Sequence, residues 1–598
     1  MAMLRALPVA ILLAMALAAA ALGQEPAQPL RWQPWSDAVF AEARAQHKFV
    51  LLDLEAVWCH WCHVMDDVTY KDPVVMRLLG ERYLLVKVDQ DARPDISNRY
   101  EDYGWPATVV FAGDGSEIVK RQGYIPPRPM ASMLQAIIDD PSPGPSVVKE
   151  AAFQPAMSGL LGPALLERVR AGYEKQYDKD AAGWGFGHKY LDADSMEYAL
   201  RAGARGDMVL EKRAADTLHK ATALIDPAWG GMYQYSVDGV WTEPHFEKLI
   251  SIQAAALREY SLAYAQTQDR EDLNAAQAVH RYVMSFLESP STGAFYVSQD
   301  ADLHDGEENE PYFRLTDAGR RKQGIPRVDE HVYARENGWM IASLCIYYAA
   351  SGDKQAREQA ERAAEWIAAH RSLPGGGFRH GDADRAGPFL GDTLAMGEAF
   401  LELYNVTGNR EDLRRASDAG RYIGAHFAPR ARGTGFVTSQ TATDAAYRPH
   451  PVRDENIALV RFAMMLALAT GDERFHAMGL EAMRYLAADS VALEPLSAGI
   501  LLANEEATEA PMHVTVVGSA SNPQAVLLHE AALRAIASHE LIEIRDPEDR
   551  SPLPTNVSYP VLKRPALFLC TATACSSPVF DADQVRAKLE RAEMRAAR

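Results

Sequence analysis

The chain has little cysteine: five residues in 598. That excludes a scaffold built on disulfides, which needs a dense and regular set of bridges. It lacks any basic run interleaved with aromatics, and Asp plus Glu outnumber Lys plus Arg by 81 to 61, for a formal net charge of -20. Such a surface repels nucleic acid and anionic membranes, so neither is expected as a partner. Past its first residues the chain has no apolar run of the roughly 20 residues that a spanning helix needs. It also lacks the low-complexity stretches of a disordered chain. What it has is ordinary globular material, 48% hydrophobic and 24% charged. Spread over this length, that composition calls for two or three domains.

The first residues stand apart. Arg5 forms a short basic region, Val9 to Ala20 is rich in Leu and Ala, and Ala21-Leu22-Gly23 sets small residues where a signal peptidase cuts. Residues 1–23 therefore read as a secretory signal cleaved near Gln24, with an uncleaved anchor helix as the alternative. The expected location is periplasmic or secreted.

The placement of the cysteines says more than their number. Cys345 lies in a helical apolar run and reads as an inert core thiol. Cys59 and Cys62 form a C-x-x-C directly after Phe49 to Leu54, an apolar run of strand length. Asp72 and Pro73 then mark the start of a helix. Tyr83 to Val88 reads as a strand, and Pro106 leads into another, Ala107 to Phe111. Gly113-Asp114-Gly115 turns the chain into Glu117 to Gln122, and a helix near Arg128 to Asp139 closes a module over 24–140. With a C-x-x-C at the end of the first strand, this order resembles the thioredoxin fold. Trp58 precedes the first Cys, Asp53 stands where thioredoxins keep a buried acid, and Pro106 matches their cis-proline.

Two thiols at this spacing and at a helix start reach disulfide geometry. The helix N-terminus lowers the pKa of the first thiol. Cys59 is thus the expected attacking thiolate, and Cys62 the resolving thiol. His60, between them, favours the thiolate when protonated. Two other readings use the same residues. Cys59-His60-Trp61-Cys62-His63 fits the C-x-x-C-H pattern of haem attachment, and Cys59, Cys62 and His63 could hold zinc or copper. Neither suits a motif set between a buried strand and a helix, so no cofactor and no metal is expected.

Residues 141–150, which open on Asp140-Pro141-Ser142-Pro143-Gly144-Pro145, read as a linker. The region 151–510 repeats itself. Thr267-Gln268-Asp269, Ser351-Gly352-Asp353, Thr407-Gly408-Asn409 and Thr470-Gly471-Asp472 each join an apolar helix to a charged one. Glycine-aromatic loops follow, such as Gly293-Ala294-Phe295 and Gly375-Gly376-Gly377-Phe378. Helix pairs of this kind bury their apolar stripes by stacking. The expected architecture is an all-α, closed (α/α)6 toroid with its long loops on one face. Glu243, His245, Glu247, Asp300 and Asp302 in these loops are candidates for a pocket, with carbohydrate as a candidate ligand. A glycosidase would need two opposed carboxyls. Residues 511–598 read as a small α/β element. Its Cys570 and Cys575 form either a structural disulfide, a second redox pair exchanging with Cys59-Cys62, or a metal site.

Several ordered motifs together resemble one family, the thioredoxin-domain proteins similar to spermatogenesis-associated protein 20. They are Cys59-His60-Trp61-Cys62-His63-Val64-Met65, Pro244-His245-Phe246-Glu247-Lys248, Asp300-Ala301-Asp302, Asn337-Gly338, and Cys570 with Cys575 before Pro578-Val579. The resemblance implies a thioredoxin-like domain fused to a six-hairpin glycosidase-like toroid, with a redox role. The chain departs from the family at Tyr233-Gln234-Tyr235, where His-Arg is usual, and at Leu249 to Ile252. The reading that results is an exported thiol-disulfide oxidoreductase. Its partner is a protein or small-molecule thiol or disulfide, and the toroid acts as recognition domain. The alternatives are a carbohydrate-active toroid with an accessory thioredoxin domain, and a metal-binding dithiol protein.

Overall fold

The computed structural model describes residues 29–100, 104–147, 153–307, 310–382, 384, 386–440, 449–509, 511–535, 540–549, 557–560, 562–571 and 574–596. The expected signal segment 1–23, its cleavage point and residues 148–150 of the expected linker lie outside these residues.

Five strands make the N-terminal sheet: β1 (Trp32–Gln33), β2 (Phe49–Glu55), β3 (Tyr83–Asp89), β4 (Ala107–Phe111) and β5 (Glu117–Gln122), in the order β1-β3-β2-β4-β5. β2 runs parallel to β3 and antiparallel to β4. Period-2 alternation sends Val50, Leu52 and Leu54 to one face, with Phe40 and Phe111, and Leu51 to the other, with Leu79 and Leu134. Asp72 caps the Pro73–Arg82 helix by accepting the Val74 and Val75 N–H groups. The short strand β1 and the helices Asp37–Gln46 and Pro94–Tyr100 carry no strong sequence signal. The helix that starts at the dithiol is one turn of α-helix, His60–Val64, run into a π-turn, Met65–Thr69.

Six inner helices form a closed ring in the order Ala193–Ala204, Ile250–Thr267, Ala334–Ser351, Leu390–Thr407, Arg453–Thr470 and Ala498–Thr508, the last packing back on the first. Five are backed by the helix that follows them; Ala498–Thr508 is backed by Pro163–Gln176 from the start of the region, which closes the toroid. The recurring turns work as the residue types require. Gly352, Gly408 and Gly471 end inner helices with φ of 79, 70 and 68°, and Gln268 adopts the same left-handed conformation. Asp269, Asp353, Asn409 and Asp472 then cap the outer helices.

Each glycine-aromatic loop is pinned by a polar residue near the start of the next inner helix. Asn337 accepts the Phe295 N–H at 2.7 Å and donates to Phe295 O at 3.0 Å; Asn456 treats Phe436 alike, at 2.9 and 3.0 Å. Within otherwise buried inner helices, half-exposed positions recur every three or four residues: Ser251, Ala255, Arg258; Arg335, Trp339, Ala342; Ala458, Arg461, Met465. That stripe faces the toroid axis, so the ring surrounds an open chamber.

The C-terminal element is β6 (Met512–Val517), parallel to β7 (Glu540–Arg545) and antiparallel to β8 (Ala566–Cys570), with a helix Pro523–Leu533 between the first two. It sits at the C-terminal ends of the inner helices, where His529 bonds Asn405 O at 2.9 Å and Arg586 donates to Ala265 O at 2.9 Å. Among the described residues no helix is long and apolar enough to cross a membrane.

Gly338 shows how tightly the ring is packed. A Cβ there would lie 2.5 Å from the carbonyl carbon of Ala395 on the neighbouring inner helix, whereas one on Gly80 would meet nothing within 4 Å. Gly338→Ala is expected to cost about 1–3 kcal/mol through overpacking. Gly80→Ala should be neutral or stabilising by up to ~1 kcal/mol. Thermal denaturation of the two variants checks the contrast.

Candidate functional site

The dithiol stands where β2 hands over to the first helical turn. Cys59 is the N-cap of His60–Val64 and its Sγ accepts the Cys62 N–H at 3.2 Å. The two sulfurs are joined, with the Cα atoms 5.2 Å apart. The Trp105–Pro106 peptide is cis. Trp58 donates its indole N–H to Asp91 at 2.8 Å. Under the dithiol, Asp53 lies 3.5 Å from Lys87 Nζ, which also reaches Glu55 and Asp66, each at 2.7 Å. Burial, only partly offset by Lys87, pushes the Asp53 carboxyl up to about 7. It is therefore able to take up and release a proton near neutrality.

The dithiol is not at the surface. Cys59 and Cys62 are each 3% exposed, because Leu249 of the toroid and Trp105 pack on them. Trp61, by contrast, is exposed and stacks on Tyr124. The toroid loop 300–306 wraps the dithiol helix. Asp302 accepts from His60 Nδ1 at 2.7 Å, from His63 Nδ1 at 3.0 Å and from the Gly306 N–H at 2.8 Å. Burial works to raise the Asp302 carboxyl, but these bonds outweigh it and hold it at about 2. His63 Nε2 faces Val57 O at 3.1 Å. Both its ring nitrogens thus meet acceptors, which favours the imidazolium. Burial opposes that charge, while Asp302 and Asp300 raise the His63 pKa above the usual imidazole value. Arg327 of the toroid also donates to Val57 O, at 2.7 Å.

A second bridge has the same form. His380 of the toroid stands between Asp392 Oδ1 at 2.8 Å and the carbonyl of Asp91 at 2.6 Å, stacked on Tyr333. Burial disfavours its charge, but the Asp392 carboxylate prevails and lifts it to about 9.

The structure brings most of the sequence candidates together. His245 and Glu247 lie near His60, on the strand pair leading to Leu249. Burial holds His245 down at about 4 and raises Glu247 to about 7, and Glu247 Oε2 has no hydrogen-bond partner. Asp300 is raised by burial to about 6. Glu243 does not join them; it is on an exposed turn. Cys570 and Cys575 are disulfide-bonded, with Cys570 buried and Cys575 exposed. They belong to the element at the far end of the inner helices, roughly 27 Å of helix from the dithiol face. Direct exchange with Cys59-Cys62 in one chain, one of the three readings of this pair, would have to cross that length; the structure has the pair as a disulfide. Asp91, Arg327, His380 and Asp392 were not singled out from sequence, and His63 only as a haem or metal ligand, since nothing local links these residues across the chain.

Two acidic groups are close enough to hold a cation, His63 with Asp300 and Asp305, and Asp53 with Glu55 and Asp66. In the first, both His63 ring nitrogens are already engaged, with Asp302 and Val57 O; the second is already filled by the Lys87 ammonium.

Comparison with known proteins agrees with this layout. Residues 15–139 match a DsbH-type thioredoxin family described as "Protein of unknown function, DUF255". A thioredoxin of Mycoplasmoides gallisepticum is 32% identical over 91 residues, covering 15% of this chain and 84% of that protein. Human spermatogenesis-associated protein 20 is 25% identical over 314 residues, covering 47% of this chain and 40% of the relative. The match thus spans about two-fifths of that relative's length. The solved structure of a D-mannose isomerase aligns with 58% of this chain and 96% of its own, at 12% identity and a TM-score of 0.45.

Two outcomes follow. Asp302→Ala removes the tie on both histidines, and hydrogen bonds to charged groups contribute about 1.5–3 kcal/mol each. After reduction, and near pH 10, where the Cys59 thiol is ionised with or without the histidine charge, alkylation by iodoacetamide should speed up about tenfold or more in the variant, because the toroid loop no longer covers the dithiol. The second concerns pH. The folded pKa of His380, about 9, is above its ordinary 6.5. Its bridge contributes fully below pH 6.5 and is lost as pH rises through 9. Thermal midpoints should fall over that window, and His380→Gln should flatten the fall.

Proposed function

Because the chain belongs to the thioredoxin family through its N-terminal module, we propose that it is a thiol-disulfide oxidoreductase in which the toroid serves as recognition domain and supplies part of the dithiol's surroundings. The observation that carries the reading is the Cys59–Cys62 pair at a helix N-cap, above the buried Asp53 and beside a cis-proline. In the reduced chain, the Cys59 thiolate attacks a substrate disulfide, forming a mixed disulfide and releasing one substrate thiol. Cys62, giving its proton to a base such as Asp53, attacks Cys59 Sγ and releases the second thiol. The chain leaves oxidised and is reset by an external dithiol.

Burial of both sulfurs favours a substrate disulfide that is small or on an extended segment over one inside a folded partner. The apolar N-terminal run supports a proposed location in the periplasm or outside the cell. The open axial chamber, with Trp339 on its wall, supports a second reading, a toroid that binds carbohydrate independently of the dithiol.

Reduced Cys62→Ser protein, mixed with bis(2-hydroxyethyl) disulfide, should retain one covalent adduct per chain on Cys59 by mass spectrometry. Cys59→Ser should retain none at the motif. Absence of the adduct in Cys62→Ser, with no turnover by the unaltered chain, would refute the redox reading.

A further inference from the structure

The axial chamber is charged, and its charges do not balance. Arg258 and Arg461 sit midway along inner helices yet keep 23% and 19% of their side-chain surface exposed, and Asp194 keeps 34%. Inner helices flank these residues and outer helices lie behind, so the exposed surface faces the axis.

Three guanidinium groups meet there, those of Arg201, Arg258 and Arg461. All three pair with Glu197, and Arg201 and Arg461 also pair with Glu506. Four more acids share this space without adequate partners. Asp194 lies 3.6 Å from Arg461 Nη1. Glu259 is wholly buried behind Arg258, 3.9 Å from its Nε, and among the described residues neither carboxyl oxygen has a hydrogen bond. Glu402 accepts only a 3.3 Å bond from Asn405. Glu398 lies half-exposed on the axial side and is within the field of Glu402.

Around these three guanidinium groups, and among the described residues, three cations face six acids when Glu197 and Glu506 are ionised; Arg335, nearer the loop end, is paired with Glu336. Burying uncompensated carboxylates is costly, and a protein either protonates them or neutralises them with a ligand. Burial pushes Asp194 and Glu398 up to about 7. Among the described residues these acids do not converge within the 4.8 Å that would let three of them share one metal ion. Their charge is spread along the chamber, which suits a ligand with separated positive groups. A neutral sugar would leave the imbalance in place.

We propose that the axial chamber binds a small organic cation carrying more than one ammonium group, a diamine or polyamine, through Asp194, Glu398 and Glu402. The ammonium protons replace the missing donors, and the alkyl stem lies along Ala458 and Met465.

The test is isothermal titration calorimetry of the intact chain with 1,4-diaminobutane at pH 8, against 1,4-butanediol and cellobiose. The diamine should saturate one site and the diol should give no heat. Ammonium competes with protons for the carboxylates, so diamine affinity should fall about tenfold between pH 8 and pH 6. Glu398→Gln with Glu402→Gln should weaken binding at least tenfold, while Cys59→Ala should leave it unchanged, which separates this site from the redox reading. No diamine heat at pH 8, equal heat from the diol, tighter binding of cellobiose, or affinity indifferent to pH would each overturn the proposal. All four readouts need only the unaltered chain.

Discussion

The carboxylate of Asp302 holds the dithiol helix to the toroid. It accepts from His60, from His63 and from its own loop at Gly306, and so fixes the two imidazoles that follow the two cysteines. An ionised carboxylate in so buried a place is stabilised by the His60, His63 and Gly306 donors, and Asp302 and Val57 O, at the two ring nitrogens of His63, in turn favour its charged form. The redox centre is therefore composite. The thioredoxin module brings the sulfurs, the acid beneath them and the cis-proline, and the toroid brings the counter-ion and the lid, Leu249.

The toroid has two ends with different neighbours, a consequence of six inner helices running parallel. Long glycine-aromatic loops gather at their N-terminal ends and meet the thioredoxin module. Short Gly-Asp turns gather at the other end and meet the C-terminal α/β element, with its own disulfide. The two disulfides are kept apart by the length of a helix. Between them lies the charged chamber, closed toward the sides by helix packing such as Gly338 against Ala395.

Much of this was legible in the sequence, for physical reasons. The dithiol, Asp53 and Pro106 are tied by local spacing to one strand-helix junction. The repeated Gly-Asp turns encode left-handed helix ends followed by N-caps, and so disclose helix pairs. The Asn337-Gly338 pair, noted only as a motif, has two separate tasks: Asn337 pins the Phe295 loop, and Gly338 admits the next helix. What could not be read was contact between distant segments. Nothing local tells His63 that Asp302 stands beside it, or His380 that Asp91 does. The C-x-x-C-H pattern placed His63 among haem or metal ligands; in the fold it is a charged strut. Glu243 read as an equal of Glu247, but strand alternation and the turn put one outside and the other in.

The central claim is that a toroid carboxylate is part of the redox centre. It is tested most directly by the reduction potential of the dithiol at pH 7.5, equilibrated with glutathione, in the unaltered chain and in Asp302→Asn. Without the carboxylate, His63 loses the partner that keeps it an imidazolium above its ordinary pKa, and the Cys59 thiolate loses that positive charge. The reduced form is then less stable, and the potential should fall by about 30 mV, a tenfold change in the exchange constant. An unchanged or higher potential in the variant would contradict the account.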